Sequence, residues 1–159
     1  MANTAYAEDL SGQEQVLQPV AHISHVHVRL IKESYLQFEP ASDLVATLFF
    51  QRLLEIAPEV QPMLHGDMDE QRQQLLIALG LAVASLDRFD DILPSLKLLG
   101  AKYRAIGVEP YHYGGVGEAL LWTLKQSLGP SWSPELEDAW SALCTVVAEA
   151  MTVSDEPVT

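Results

Sequence analysis

From His25 onward, apolar residues recur at helical spacing. Val26, Leu30, Ile31, Tyr35 and Phe38 lie three to five positions apart and form one stripe, which predicts a first helix that stops at Pro40. Ser42 is placed to cap a second helix, whose buried face would be Leu44, Val45, Leu48, Phe49, Leu53 and Leu54, with Pro58 ending its regular run. The prolines and Gly66 between Pro58 and Asp67 predict a short irregular corner. A third long helix starts at Asp67 or Asp69. Its early turns, Gln71-Arg-Gln-Gln74, are polar, and Leu75 to Ala84 then become apolar nearly all round, which predicts a place in the middle of the protein.

After Asp90-Asp91 a fourth helix carries Leu93, Leu96, Leu99 and Tyr103 and closes on Gly107. Pro110 opens a fifth that runs to Leu128, with Gly129 as its stop, and Ser133-Pro134-Glu135 reads as the cap and first turn of a sixth. That last helix carries Trp140, Leu143, Val147, Ala150 and Met151. No stretch alternates with a period of two, so the fold class is all-α, with about six to seven helices. Residues 1–22, polar and without Lys or Arg, read as a flexible or partner-dependent arm, residues 23–152 as one domain and residues 153–159 as a tail.

Length and charge narrow the classes of function. A chain of 159 residues, 48% apolar, can bury one sizeable core. Nine basic against twenty-two acidic residues give a net charge of -13, which repels nucleic acid and anionic membrane surfaces alike. The locally basic element is the fourth helix, with Lys97, Lys102 and Arg104. The N-terminal stretch lacks a basic start and an apolar run, the apolar stretch Leu75 to Leu86 is too short to span a bilayer, and one cysteine, Cys144, fits a reducing compartment. A cytoplasmic location without membrane insertion is the expectation.

Isolated chemical candidates are weak. His22, His25 and His27 do not share a helical face and have no Cys or carboxylate following at ligand spacing, so surface or capping roles outweigh a metal site. His65, in the corner, is read as solvated, and Cys144, on an apolar helical stretch, as a buried inert thiol. No Ser/His/Asp set or phosphate loop is present, and no catalytic residue is assigned.

One long stretch is more specific. Leu99-Gly-Ala-Lys-Tyr-Arg-Ala-Ile-Gly-Val-Glu-Pro-Tyr-His-Tyr-Gly-Gly-Val-Gly-Glu-Ala-Leu-Leu-Trp-Thr-Leu124, followed by Leu128-Gly-Pro-Ser-Trp-Ser-Pro-Glu135 and Ala139-Trp140, resembles the globin family, in particular bacterial single-domain globins and the globin modules of flavohaemoglobins. Upstream, Phe49-Phe-Gln-Arg-Leu-Leu54, Pro58-Glu-Val60 and Asp67-Met-Asp-Glu-Gln-Arg72 resemble that family's second helix, corner and distal helix. The resemblance implies helices packed at steep angles around a central pocket.

Matched residue by residue, the resemblance also implies a changed pocket. The iron-ligating histidine falls on Tyr103, the corner phenylalanine on Leu64, and the tyrosine of the second helix on Phe50. Gln71 keeps the distal polar position, with Leu75 one turn later, and Val108 and Tyr113 complete the cofactor-binding set. A phenol must lose a proton at a pKa of about 10 to ligate iron, and phenolate favours ferric iron. The leading expectation is a sensor, regulatory or protein-interaction module with no cofactor assigned, whose partner is another protein, a second copy or a small apolar ligand. In that reading Tyr103 fills volume that the cofactor occupies elsewhere. The alternative is ferric haem b held by Tyr103, as a gas or redox sensor or a peroxidase-like protein, and behind it an ordinary oxygen-binding haem globin.

Overall fold

The computed structural model describes residues 23–64 and 66–152, in which six α-helices are joined by short 3-10 turns. They are α1 His25–Phe38, α2 Ser42–Ile56, α3 Met68–Ala84, α4 Leu93–Ala105, α5 Pro110–Leu128 and α6 Pro134–Thr152. Among the described residues no strand occurs. The arm and the tail lie outside the described residues, as do His22 and His65.

Start and stop chemistry sets most boundaries. Ser24 caps α1 by accepting the His27 N–H at 3.1 Å, Asp67 caps α3 by accepting the Glu70 N–H at 2.8 Å, and Ser133 accepts the Leu136 N–H at 3.2 Å at the head of α6. Ser42 does not cap α2. It is the first residue inside the helix, because the 3-10 turn Glu39–Ala41 runs straight into it and the Ser42 N–H is already bonded to the Glu39 carbonyl. Gly107 and Gly129, at φ of 105° and 53°, end α4 and α5 in backbone conformations that side chains resist.

The core sits where α1 meets α6 and α2 meets α5. Trp140 and Ile31 are fully buried, and the Trp140 indole donates to Ser34 Oγ at 2.9 Å while the Ser34 hydroxyl donates to the Leu30 carbonyl at 2.8 Å. A buried indole N–H and a mid-helix serine thus satisfy each other, leaving no orphaned polar group at that crossing. Phe38 adds a tilted ring contact to Trp140 at 6.0 Å. Lys32 of α1 pairs with Asp87 at 2.7 Å, tying α1 to the Leu86–Ile92 turn that feeds α4.

Helix α3 departs from the expectation of a central position. Only Leu79 and Val83 are buried along it, while Ile77 is 69% and Leu81 52% exposed. It packs on α2 and touches α1, so one flank is covered and the other is open. Leucine and alanine are strong helix formers wherever they fall, so apolar content on all sides records propensity as well as burial.

Helix α4 is held by backbone contact. Gly100 is buried against α6, and a Cβ added there would run into the Met151 carbonyl. Gly114 on α5 is the opposite case, with nothing within 4 Å of the added atom and no positive φ. Gly100→Ala should lower unfolding free energy by roughly 1–3 kcal/mol by overpacking, and Gly114→Ala should raise it by about 0.5–1 kcal/mol, both read by urea denaturation.

Candidate functional site

The residues singled out from the sequence fall into two groups. On one side, Phe50 of α2 is buried with its ring edge-on to Phe49 at 4.9 Å, and Leu64 and Leu75 pack half-buried against the same apolar cluster. Gln71 is also half-buried, in the first turns of α3. On the other side, Tyr103 near the end of α4, Val108 in the following turn and Tyr113 in the first turns of α5 lie together. Tyr103 is close enough to Tyr113 for a negative charge on one to disfavour ionisation of the other. Met63, from the corner before α3, comes within 3.8 Å of where a side chain on Gly107 would begin, so the two corners close on each other.

Tyr103 does not fill volume as a buried ring would. It remains 37% exposed, on a helix pulled toward α6 by the Gly100 contact. Tyr113 is the more enclosed phenol. Burial pushes its pKa above the usual 10, the neighbouring Tyr103 adds to the rise, and the Arg104 guanidinium opposes it.

Arg104 was not legible as part of this group. It donates to the Met151 carbonyl at 3.3 Å and, with Val108, Pro110, Tyr113, Met151 and Thr152, lines a cavity of about 20 Å3, room for one water-sized group. Only the packing of α4 on α6 reveals it, since along the helix Arg104 points away from Tyr103.

The remaining titratable candidates are engaged elsewhere. His112 is buried, its Nδ1 accepts the Glu109 N–H at 2.8 Å, and its Nε2 lies 3.8 Å from the Glu59 carboxylate. His25 and His27 stand on the first turn of α1, and among the described residues no group of three His, Cys, Asp or Glu side chains could hold a metal ion. Cys144 is half-buried, its thiol beside Gly117, and desolvation pushes its pKa to about 11.

With this geometry in view, comparison with known proteins becomes decisive, because the globin family matches residues 47–151, from α2 to the end of α6. The chain belongs to the globin family. The flavohemoprotein of Bacillus subtilis (strain 168) is 29% identical over 126 residues, covering 77% of this chain and 32% of that protein, so the chain spans about a third of that relative's length. A neuroglobin of Tetraodon nigroviridis is 29% identical over 119 residues, covering 66% of this chain and 75% of that protein. The structure of an engineered carbene transferase from Rhodothermus marinus superposes with a TM-score of 0.75 at 21% identity, covering 86% of this chain and 95% of that one, which shows the same fold. The family match runs over both groups of residues, Phe50, Leu64, Gln71 and Leu75 in one and Tyr103, Val108 and Tyr113 in the other.

Two outcomes test the local chemistry. Tyr113 has a raised pKa in the folded globin, so its contribution to stability is present below about pH 10 and is lost as pH rises through the folded value. Tyr113→Phe should therefore flatten the alkaline decline in stability, followed by denaturation at stepped pH with tyrosinate absorbance as the internal readout. The Cys144 thiol should react with an aromatic disulfide reagent at pH 8 on the order of 100-fold more slowly in the folded protein than in urea.

Proposed function

We propose that this globin works as a regulatory or sensory module, through protein contacts or by taking up a small apolar ligand in its cleft, and not as an oxygen carrier. Tyr103 carries the reading. Under the residue-by-residue match it stands where globins present an imidazole to iron, and neutral imidazole suits ferrous iron while a phenol does not.

Haem is the cofactor that the family implies, and the donor set of the described residues does not fit a histidine-held haem. The wall of α4 offers a phenol, α3 offers the Gln71 amide, and the imidazole of His112 is buried between the Glu109 N–H and Glu59. Phenolate ligation would call for a cation beside the Tyr103 hydroxyl. The guanidinium nearest that wall, Arg104, is held at the Met151 carbonyl and acts on Tyr113. Phe50 and Leu64 support the same reading, since one has no donor and the other no ring to lay against a porphyrin. The flavohemoprotein and the carbene transferase are proteins to which this chain is similar, and peroxidase-like or dioxygenase chemistry in this chain would follow only from bound haem. A partner protein or a second copy in the cytoplasm is the setting this reading assigns.

The test is a titration of the purified full-length chain with haemin, followed in the visible range. The expected result is weak, non-saturating absorbance. A stoichiometric Soret band would overturn the proposal, and a charge-transfer band that vanishes in Tyr103→Phe would replace it with phenolate-held ferric haem.

A further inference from the structure

His112, in the first turn of α5, is only 4% exposed, and its two ring nitrogens are treated unequally. Nδ1 accepts the backbone N–H of Glu109 at 2.8 Å, while the His112 N–H donates to the Glu109 carbonyl at 2.9 Å, so the two residues hold each other twice. A nitrogen that accepts carries no proton, which places the proton of the neutral ring on Nε2. That donor is buried and has no hydrogen-bond partner among the described residues. The Glu59 carboxylate, in the turn Pro58–Met63, stands 3.8 Å away, just beyond bonding distance. Buried donors almost always find a partner, so one left short of a carboxylate calls for a reason.

An imidazolium has no acceptor. A second proton must go onto Nδ1, and the Glu109 N–H then meets another N–H in place of a lone pair. The charged ring is drawn instead to Glu59, since charge-assisted bonds are the shorter and stronger ones, and that carboxylate is 51% exposed and can swing inward. The other titratable groups beside the ring belong to its own end of α5, Glu109 and Tyr111, the latter with its ring centroid 4.2 Å away. The Glu109 amide matters because of where it sits. Between α4 and α5 the Ile106 and Val108 N–H groups bond the Tyr103 carbonyl at 3.1 and 2.9 Å, and the Gly107 N–H bonds the Arg104 carbonyl at 3.1 Å. Three amides tie the turn back to α4, and the Glu109 amide ties it forward to α5. The corner that carries Glu59 also carries Met63, the side chain that approaches Gly107 in that turn. His112 therefore stands between the corner that leads into α3 and the turn that joins α4 to α5.

We propose that His112 is a proton-operated latch. In its neutral form the ring holds the Glu109 amide and locks the α4–α5 turn to α5. A proton taken from solvent onto Nδ1 releases that amide and turns Nε2–H onto Glu59, which moves the hold of the ring from the turn after Tyr103 to the corner before α3. The latch supplies the sensory reading with a stimulus, proton concentration, and rests on that reading only for its use in the cell.

The experiment is NMR on the full-length protein labelled with nitrogen-15, titrated from about pH 8 to about pH 5.5, the interval in which imidazoles change charge. Long-range ring spectra should show Nδ1 of His112 bare and Nε2 protonated at the alkaline end. As the ring gains its second proton, the protection of the Glu109 amide against hydrogen exchange should fall roughly five- to ten-fold with the same midpoint, while the Trp140 amide of α6 keeps its protection. His112→Gln retains an acceptor at the third helical position and loses the titration, so Glu109 stays protected throughout. Glu59→Gln retains the ring and removes its counter-charge, so release moves to lower pH. Four results overturn the proposal: a proton on Nδ1 at the alkaline end, ring titration that leaves the Glu109 amide unmoved, loss of protection that runs the same course in wild type and His112→Gln, or a midpoint indifferent to Glu59→Gln. No readout involves haemin, so the latch and the proposed function fail separately.

Discussion

The placement of α4 depends on the absence of one carbon atom. Gly100 lets the backbone of α4 lie directly on the Met151 carbonyl of α6, a separation that any side chain would forbid. That contact sets where Tyr103 and Arg104 emerge, one toward Tyr113 of α5, the other onto the Met151 carbonyl of α6. On the far side of the molecule, the Trp140–Ser34 bond fixes the same α6 helix against α1. Helix α6 is thus the reference against which α4 is placed, while α3 leans on α2.

Much of the helical plan is legible in the sequence because each boundary carries its own chemistry. Asp67, Ser133, Gly107 and Gly129 are local signals, and they appear in the structure as caps or positive-φ stops. Ser42 misleads because a serine before an apolar run is a cap only if the backbone before it is extended, and Pro40 instead continues a helical turn into it. Helix α3 misleads for a different reason. Apolar content on every side describes what the residues tolerate, whereas burial depends on how many neighbours the topology supplies, and here it supplies them along one flank.

The candidate site is legible only in part. The match along the chain selects Tyr103, Val108 and Tyr113, and folding does bring these together. It cannot reveal Arg104 beside Tyr113, because that proximity arises across α4, α5 and α6 and has no fixed spacing in sequence. Nor can it reveal that His112 is buried with its Nδ1 bonded by the backbone N–H of Glu109 and its Nε2 3.8 Å from the Glu59 carboxylate. Residue type proposes a chemistry, and the partners already holding each polar atom decide whether it can be exercised.

The uncovered flank of α3 has a colloidal consequence. From Gln73 to Ser85 that helix carries no charged side chain, and Ile77 and Leu81 stand out from it into water. At neutral pH the large negative charge keeps such ridges apart by mutual repulsion. Near the isoelectric point of about 4.5 that repulsion vanishes, and two molecules meeting ridge to ridge would encounter only methyl groups and amides. Mild acidification therefore turns a harmless strip of helix into the stickiest part of the surface.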